Sequence, residues 1–235
     1  MSKYDGLSIL AFDTATRGCS VALWCDGNIL ASAAEEMERG QSAALMPMVE
    51  RVLKNANKGF DGLDALAVTT GPGAFTGLRI GLAAARGMAL ASGLPVFGIT
   101  TLDVVAHSIP EHERSGKTVL IALETKRADH YVQIFSDILD PQSEPQALQP
   151  DALSNLVISE KIIIAGDAAL SAQQALCNQG ADISISSASG LPDAKVLALR
   201  AADRWTHGER PRAMPQPLYL RAPDVSQPGA VSTVR

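Results

Sequence analysis

Two stretches of this chain match one another at a constant offset, and that match limits the fold more than any other feature. Leu10-Ala11-Phe12-Asp13-Thr14, followed by Val21-Ala22-Leu23-Trp24, lies against Ile121-Ala122-Leu123-Glu124-Thr125, followed by Val132-Gln133-Ile134-Phe135. Each copy is an apolar strand that ends in an acid and a threonine, then a turn, then a second strand. Two amphipathic hairpins can match this well by chance, and the pattern supports duplication without requiring it. It predicts two similar lobes with a cleft between them. The length of 235 residues accommodates that, at about 100–200 residues per domain.

The first half places strands over 7–13, 19–26 and 29–35, the last two joined by a Gly27-Asn28 turn. A helix follows over 42–56, where Leu45, Met48, Val49, Val52 and Leu53 recur at helical spacing and Pro47 falls near the first turn. A strand over 66–70 runs into Gly71-Pro72-Gly73, and a second helix covers 76–92. A strand over 96–99 and a helix capped by Thr100 or Thr101 complete a β-β-β-α-β-α-β-α order.

After a polar loop over 110–117, strands are expected over 120–124 and 130–136 and a weak helix from 151. A strand over 162–165, a helix over 168–178, a short strand near 183 and a helix over 193–206 follow. The tail from Gly208 is rich in proline, and within it residues 218–221 are expected to dock as a strand. The division expected is a first lobe over 1–105, a second over 106–210 and a docking tail over 211–235.

Composition removes several classes of function. Hydrophobic residues make up 46% and charged residues 19%, enough for a core and too apolar for disorder. Asp13, Arg86 and Glu124 interrupt the most apolar runs before any reaches the length of a membrane span. No basic region followed by an apolar stretch opens the chain. Cys19, Cys25 and Cys177 are too few for a disulfide framework and read as reduced core thiols of a cytoplasmic protein. A formal charge of −5 argues against a chain that grips nucleic acid unaided.

Among residues that could carry chemistry, Asp13 and Thr14 end the first strand where a cleft-facing acid and hydroxyl hold a metal-bound phosphate. A solvated turn is the simpler account of the same pair and the one favoured from these residues alone. The loop Gly71-Pro72-Gly73-Ala74-Phe75-Thr76-Gly77 joins a strand to a helix, which points free N–H groups at an anion; Gly71, Gly73 and Thr76 are its candidates. It has neither P-loop nor dinucleotide spacing, and tight packing of helix on strand explains its glycines equally well. His107, His112, His130 and His207 are too scattered for a metal motif, no nucleophile elbow is present, and an Asp13–Glu124 pair across the cleft is less favoured than structural roles for each.

The two first-lobe helices are apolar over more of their circumference than a surface helix needs. In the second, Gly77, Gly81, Ala84 and Met88 share one face, Leu78, Leu82, Ala85 and Ala89 the next, and only Arg79 and Arg86 mark a polar stripe. A helical subunit interface is favoured over mutual packing on the sheet. Its contacts would be Leu45, Met48, Val52, Leu78, Leu82 and Met88, with Arg79 and Arg86 facing acidic groups of the partner.

Three segments together resemble the TsaB family: residues 9–16 with Cys19-Ser20-Val21-Ala22-Leu23, then Gly71-Pro72-Gly73-Ala74-Phe75-Thr76-Gly77-Leu78-Arg79-Ile80-Gly81, and finally Pro217-Leu218-Tyr219-Leu220-Arg221. The resemblance implies an α/β protein with the two-lobed actin-like ATPase (ribonuclease H-like) fold, each lobe a mixed sheet flanked by helices. It implies a non-catalytic subunit of the bacterial machinery that makes threonylcarbamoyladenosine in tRNA. The expected partners are the transferase TsaD, paired through the first-lobe helices, the ATPase TsaE, a threonylcarbamoyl-adenylate synthase, and tRNA through the complex, with a homodimer when TsaD is absent. Relative to the metal-binding His-x-x-x-His of TsaD, Thr101 and Val105 stand in place of the imidazoles, and neither can replace one at an iron or zinc site. No catalytic residue, metal or resident cofactor is therefore expected, ATP being consumed by the complex. The rivals are a stand-alone ATP-dependent phosphotransferase built on Asp13-Thr14, a peptidase of the glycoprotease-like kind, and an interaction-only dimer.

Overall fold

The computed structural model describes residues 4, 6–156, 159–177 and 180–221. The first lobe runs β1 (Ser8–Asp13), β2 (Gly18–Cys25), β3 (Asn28–Glu36), α1 (Gln41–Asn55), β4 (Ala65–Thr69), α2 (Phe75–Ser92), β5 (Val96–Ile99) and α3 (Thr101–His107). The second runs α4 (Glu111–Arg114), β6 (Thr118–Glu124), β7 (His130–Phe135), β8 (Gln146–Leu148), α5 (Leu153–Leu156), β9 (Lys161–Ala165), α6 (Ala169–Leu176), β10 (Asp182–Ile185) and α7 (Ala194–Thr206). The sheets have orders β3-β2-β1-β4-β5 and β8-β7-β6-β9-β10, one topology used twice. In each, the central strand pairs antiparallel with the next strand and parallel with the fourth. The repeat seen in the sequence is thus a repeat of architecture, with β1 and β6 in the same place.

Every residue of β1 and β2 is buried because helices cover both faces of their sheet. The period of two sorts the side chains. Leu10 and Phe12 point toward α1 and α2, with Leu45, Met48, Val52 and Met88, while Ile9 and Ala11 pack with Leu197, Ala198 and Ala201 of α7. In the second sheet, Leu120 and Ala122 pack toward α5 and α6, and Val119, Ile121 and Leu123 pack against Leu102, Val105 and Ala106 of α3. The helix that ends each half therefore covers the sheet of the other. Val104 of α3 joins the α7 cluster, and Arg200 of α7 pairs with Asp103 of α3 at 3.4 Å. A division at residue 105 accordingly separates the strands but not the helices: α7, which the sequence places with the second lobe, is packed on the first sheet.

Local differences have local causes. The β2–β3 turn is Asp26-Gly27, not Gly27-Asn28; both turn residues have positive φ (49° and 91°), the Asp-Gly geometry that continues strand twist. Pro47 lies in the second turn of α1 rather than the first, so it removes an interior N–H. The three-residue β8 has too few positions to show alternation, and α4 occupies the expected polar loop. The tail does not dock as a strand. Leu218 N–H donates one bond to the Thr70 carbonyl (2.7 Å), and the Pro215 ring packs over Gly98; residues 222–235 lie outside the described residues. Cys19 and Cys25 are buried, but Cys177 is on the surface.

Candidate functional site

Parallel pairing of β1 with β4 brings Asp13 beside Thr69 at the ends of the two strands. Asp13 is 1% exposed, and its Oδ1 accepts from the Thr69 hydroxyl (2.5 Å) and the Ala15 N–H (3.0 Å). Burial pushes its carboxyl up to about 7; those two bonds pull it down, and the nearby Asp193 carboxylate adds to the rise. Thr14 is equally enclosed, its hydroxyl donating to the Gly77 carbonyl at 2.7 Å. The solvated turn favoured from the sequence does not form: the pair is turned inward and spent on internal hydrogen bonds, an arrangement that does not fit a metal-bound phosphate at this place either.

The glycine loop packs its backbone against the same turn. Ala74 N–H donates to the Ala15 carbonyl (2.7 Å). A Cβ on Gly73 would lie 2.2 Å from that oxygen, and one on Gly77 would lie 2.0 Å from the Thr14 carbonyl. Gly71 is buried with φ +104°, a conformation that permits no side chain without strain. Close packing of helix on turn thus accounts for these glycines. Of the five candidates for ligand binding, Gly73 and Thr76 line the interlobe cleft, whereas Asp13, Thr14 and Gly71 do not.

The expected interface residues divide in the same way. Leu45, Met48, Val52, Leu78 and Met88 are buried in the first lobe itself, and Leu82 is half-buried against the same core, so this apolar face is not offered to a partner. Arg79 and Arg86 are exposed. Between and beyond them α2 presents Ala83, Gly87 and Leu90, the last 88% exposed, and α1 presents Met46 at 39%. The helices are apolar nearly all round because one side serves the sheet while small residues and Leu90 remain outside.

The cleft between the lobes encloses about 1430 Å³. Arg17 from the β1–β2 turn, Arg39 from the segment before α1, Arg79 from α2, Lys126 and Arg127 from the β6–β7 turn and Arg221 from the tail line it. Glu38, Glu124 and Asp167 are the acids in its wall. Arg17 reaches across to Asp167 (3.8 Å), and Arg221 pairs with Asp129 of the second lobe. Glu124 does not pair with Asp13: its N–H donates to Asp167 (2.7 Å), whose carboxyl is raised by burial. His130 meets the Ser171 hydroxyl at 2.9 Å, and burial lowers its pKa although Glu124 and Asp167 oppose this. Among the described residues no group of three or more metal-ligating side chains comes together, and no helix is long and apolar enough to cross a membrane. Sequence reasoning missed the basic cleft because its cations come from five separate segments and form no run.

Two lobes of one topology, each a mixed sheet between helices and facing each other across a cleft, define a protein of the actin-like ATPase fold. Component A of the (R)-2-hydroxyglutaryl-CoA dehydratase of Acidaminococcus fermentans shares that fold (TM-score 0.51, 12% identity, 84% of this chain and 98% of that one). A crystal structure described as an uncharacterized protein with similarity to peptidase YEAZ, from Pseudomonas aeruginosa, is far nearer, at TM-score 0.78 and 28% identity over 92% of this chain and 100% of that one. The family model described as TsaD: tRNA N6-adenosine threonylcarbamoyltransferase matches residues 28–202, and the chain belongs to that family. The tRNA threonylcarbamoyladenosine biosynthesis protein TsaB of Escherichia coli (strain K12) is 40% identical over 126 residues, 53% of each chain. TsaB of Haemophilus influenzae is 35% identical over 135 residues, 57% of this chain and 55% of that one. The matched stretch spans about half the length of these curated relatives.

Proposed function

We propose that this chain is the non-catalytic subunit that binds and activates TsaD, for threonylcarbamoylation of the adenosine next to the tRNA anticodon in the bacterial cytoplasm. The observation that carries this reading is the sealed Asp13-Thr14 turn: the place where this fold would expose an acid and a hydroxyl to a nucleotide is closed by bonds to Thr69, Ala15 and Gly77. Thr101 and Val105, which the family resemblance aligns with TsaD's metal-binding histidines, are fully buried. With no phosphate chemistry of its own, the chain contributes a surface.

That surface is the outer stripe of α2, Ala83, Arg86, Gly87 and Leu90, together with the exposed Met46 of α1. Small residues allow a partner helix to approach closely, Leu90 supplies the apolar contact that solvent now covers, and Arg86 selects an acidic partner. The same stripe would serve a second copy of the chain when TsaD is absent. TsaE and the adenylate synthase act on the assembled pair, with ATP consumed there.

The test is co-purification with TsaD followed by reconstitution with TsaE, the synthase, tRNA, threonine, bicarbonate and ATP, reading the modified nucleoside by mass spectrometry. Leu90→Asp should abolish both the complex and the product while the chain keeps its circular dichroism spectrum. Product formed equally well without the chain would sink this reading, and product lost in Asp13→Asn with the complex intact would restore the stand-alone phosphotransferase.

A further inference from the structure

We propose that the interlobe cleft is a binding site for a segment of single-stranded RNA, phosphates along its basic walls and bases against an aromatic shelf. The choice of RNA over other single strands rests on the function proposed above; the site itself rests on what lines the cleft.

The chain is acidic as a whole, with 20 Lys and Arg against 25 Asp and Glu. Its cleft inverts that balance: Arg17, Arg39, Arg79, Lys126, Arg127 and Arg221 against Glu38, Glu124 and Asp167. Concave, low-dielectric walls concentrate such a field, so a local excess of positive charge attracts anions that the net charge would repel. Arg17, Arg79 and Arg221 already have partners, but among the described residues neither Arg39 nor Lys126 is in an ion pair. They stand on opposite lobes, and a bound polyanion would neutralise both.

Aromatic side chains gather in the same place. Of five Phe and three Tyr in the chain, Phe75, Tyr131 and Tyr219 line the cleft. Phe75 and Tyr219 form a tilted pair with ring centroids 5.4 Å apart, and both remain exposed, at 42% and 38%. The Arg79 guanidinium lies 3.6 Å from the Phe75 centroid and extends the shelf. A groove of cations beside open π-faces is the construction that holds single-stranded nucleic acid without reading its sequence. The cavity, at about 1430 Å³, is larger than the ~300–1,000 Å³ typical of a small-molecule pocket, so a single mononucleotide would leave much of it unfilled.

The experiment is fluorescence anisotropy of a labelled eight-nucleotide RNA against the full chain without TsaD, from 25 to about 200 mM salt. Loss of TsaD binding and loss of RNA binding are therefore separate results. Log affinity should fall linearly with log salt, and Arg39→Ala with Lys126→Ala should reduce the magnitude of that slope by about 1.4, since each phosphate contact to a single strand adds ~0.7. Tyr219→Leu should weaken binding about tenfold through lost stacking. The exchange Arg39→Lys with Lys126→Arg should restore the slope, which separates charge from folding. No binding at the lowest salt overturns the proposal. So does equal affinity for a blunt RNA duplex, or full competition by inorganic triphosphate at equal phosphate concentration, which would make the cleft a general anion site.

Discussion

Asp13 shows how one residue type can be chemistry in a sequence and structure in a fold. Its carboxyl is raised from the usual 3.8 to about 7, with burial the largest cause. Between those values the folded chain holds a proton that the unfolded chain has released, so stability from this group falls as pH rises from about 4 to about 7 and is level above. The span corresponds to a few kcal/mol, order of magnitude. Asp13→Asn keeps an oxygen for Thr69 and Ala15 and removes the titration. Thermal unfolding against pH should therefore be flatter in the variant and its midpoint higher at pH 8; identical profiles would show that the carboxyl is not buried as described. The glycines tell the same story from the backbone. A methyl on Gly77 has nowhere to go but into the Thr14 carbonyl, and Gly77→Ala should lose about 3 kcal/mol, read from the urea midpoint. The motif's residue types and spacing were plain in the sequence. That their neighbours are the Ala15 and Thr14 carbonyls, and not a phosphate, depends on how two distant turns meet.

Elements were the most legible level. The ends of β1, β2, α1, α2 and β5 lie within a residue or so of where apolar periodicity and glycine place them, since each signal is local. What periodicity cannot assign is the destination of a face. The breadth of α1 and α2 was visible, but Leu45, Met48, Val52 and Met88 turn out to serve the lobe's own core, because a sheet buried on both sides demands more apolar cover than one narrow stripe, and Leu78 is buried beside Gly71. The helix α7 was legible over 193–206, and the structure caps it with Asp193, whose carboxylate accepts from Lys195 N–H at 2.8 Å, yet its packing partner lies at the far end of the chain. Leu197→Ala, in the last helix, should therefore destabilise the first sheet by about 2–5 kcal/mol and shift the fluorescence of Trp24, which shares its cluster. An unchanged Trp24 signal in the folded variant would contradict the exchange of helices.

At the scale of the molecule, the two-lobed plan was readable from a short internal match, while the charge of the cleft was not, since Arg17, Arg39, Arg79, Lys126 and Arg221 are brought together only by tertiary structure. The exchange of α3 and α7 also predicts how the halves behave apart. Residues 1–105 expressed alone would leave Ile9, Ala11, Ala67 and Phe97 uncovered and should aggregate, whereas co-expression with residues 106–235 should recover a soluble pair. A soluble, folded 1–105 fragment with sharp amide resonances would show that the helices are dispensable covers.

Because each half ends in the helix that covers the other half's sheet, the chain has the connectivity of two domain-swapped copies of one half-length unit joined head to tail. Asp13 and Glu124, and Thr14 and Thr125, hold equivalent places in the two halves, at the ends of β1 and β6. Drift away from symmetry shows most plainly there, with the acid sealed in one half and exposed in the other. A fused pair of this kind can retire one copy of an inherited turn into the core and leave the other open to solvent, without giving up the mutual covering that keeps both halves folded.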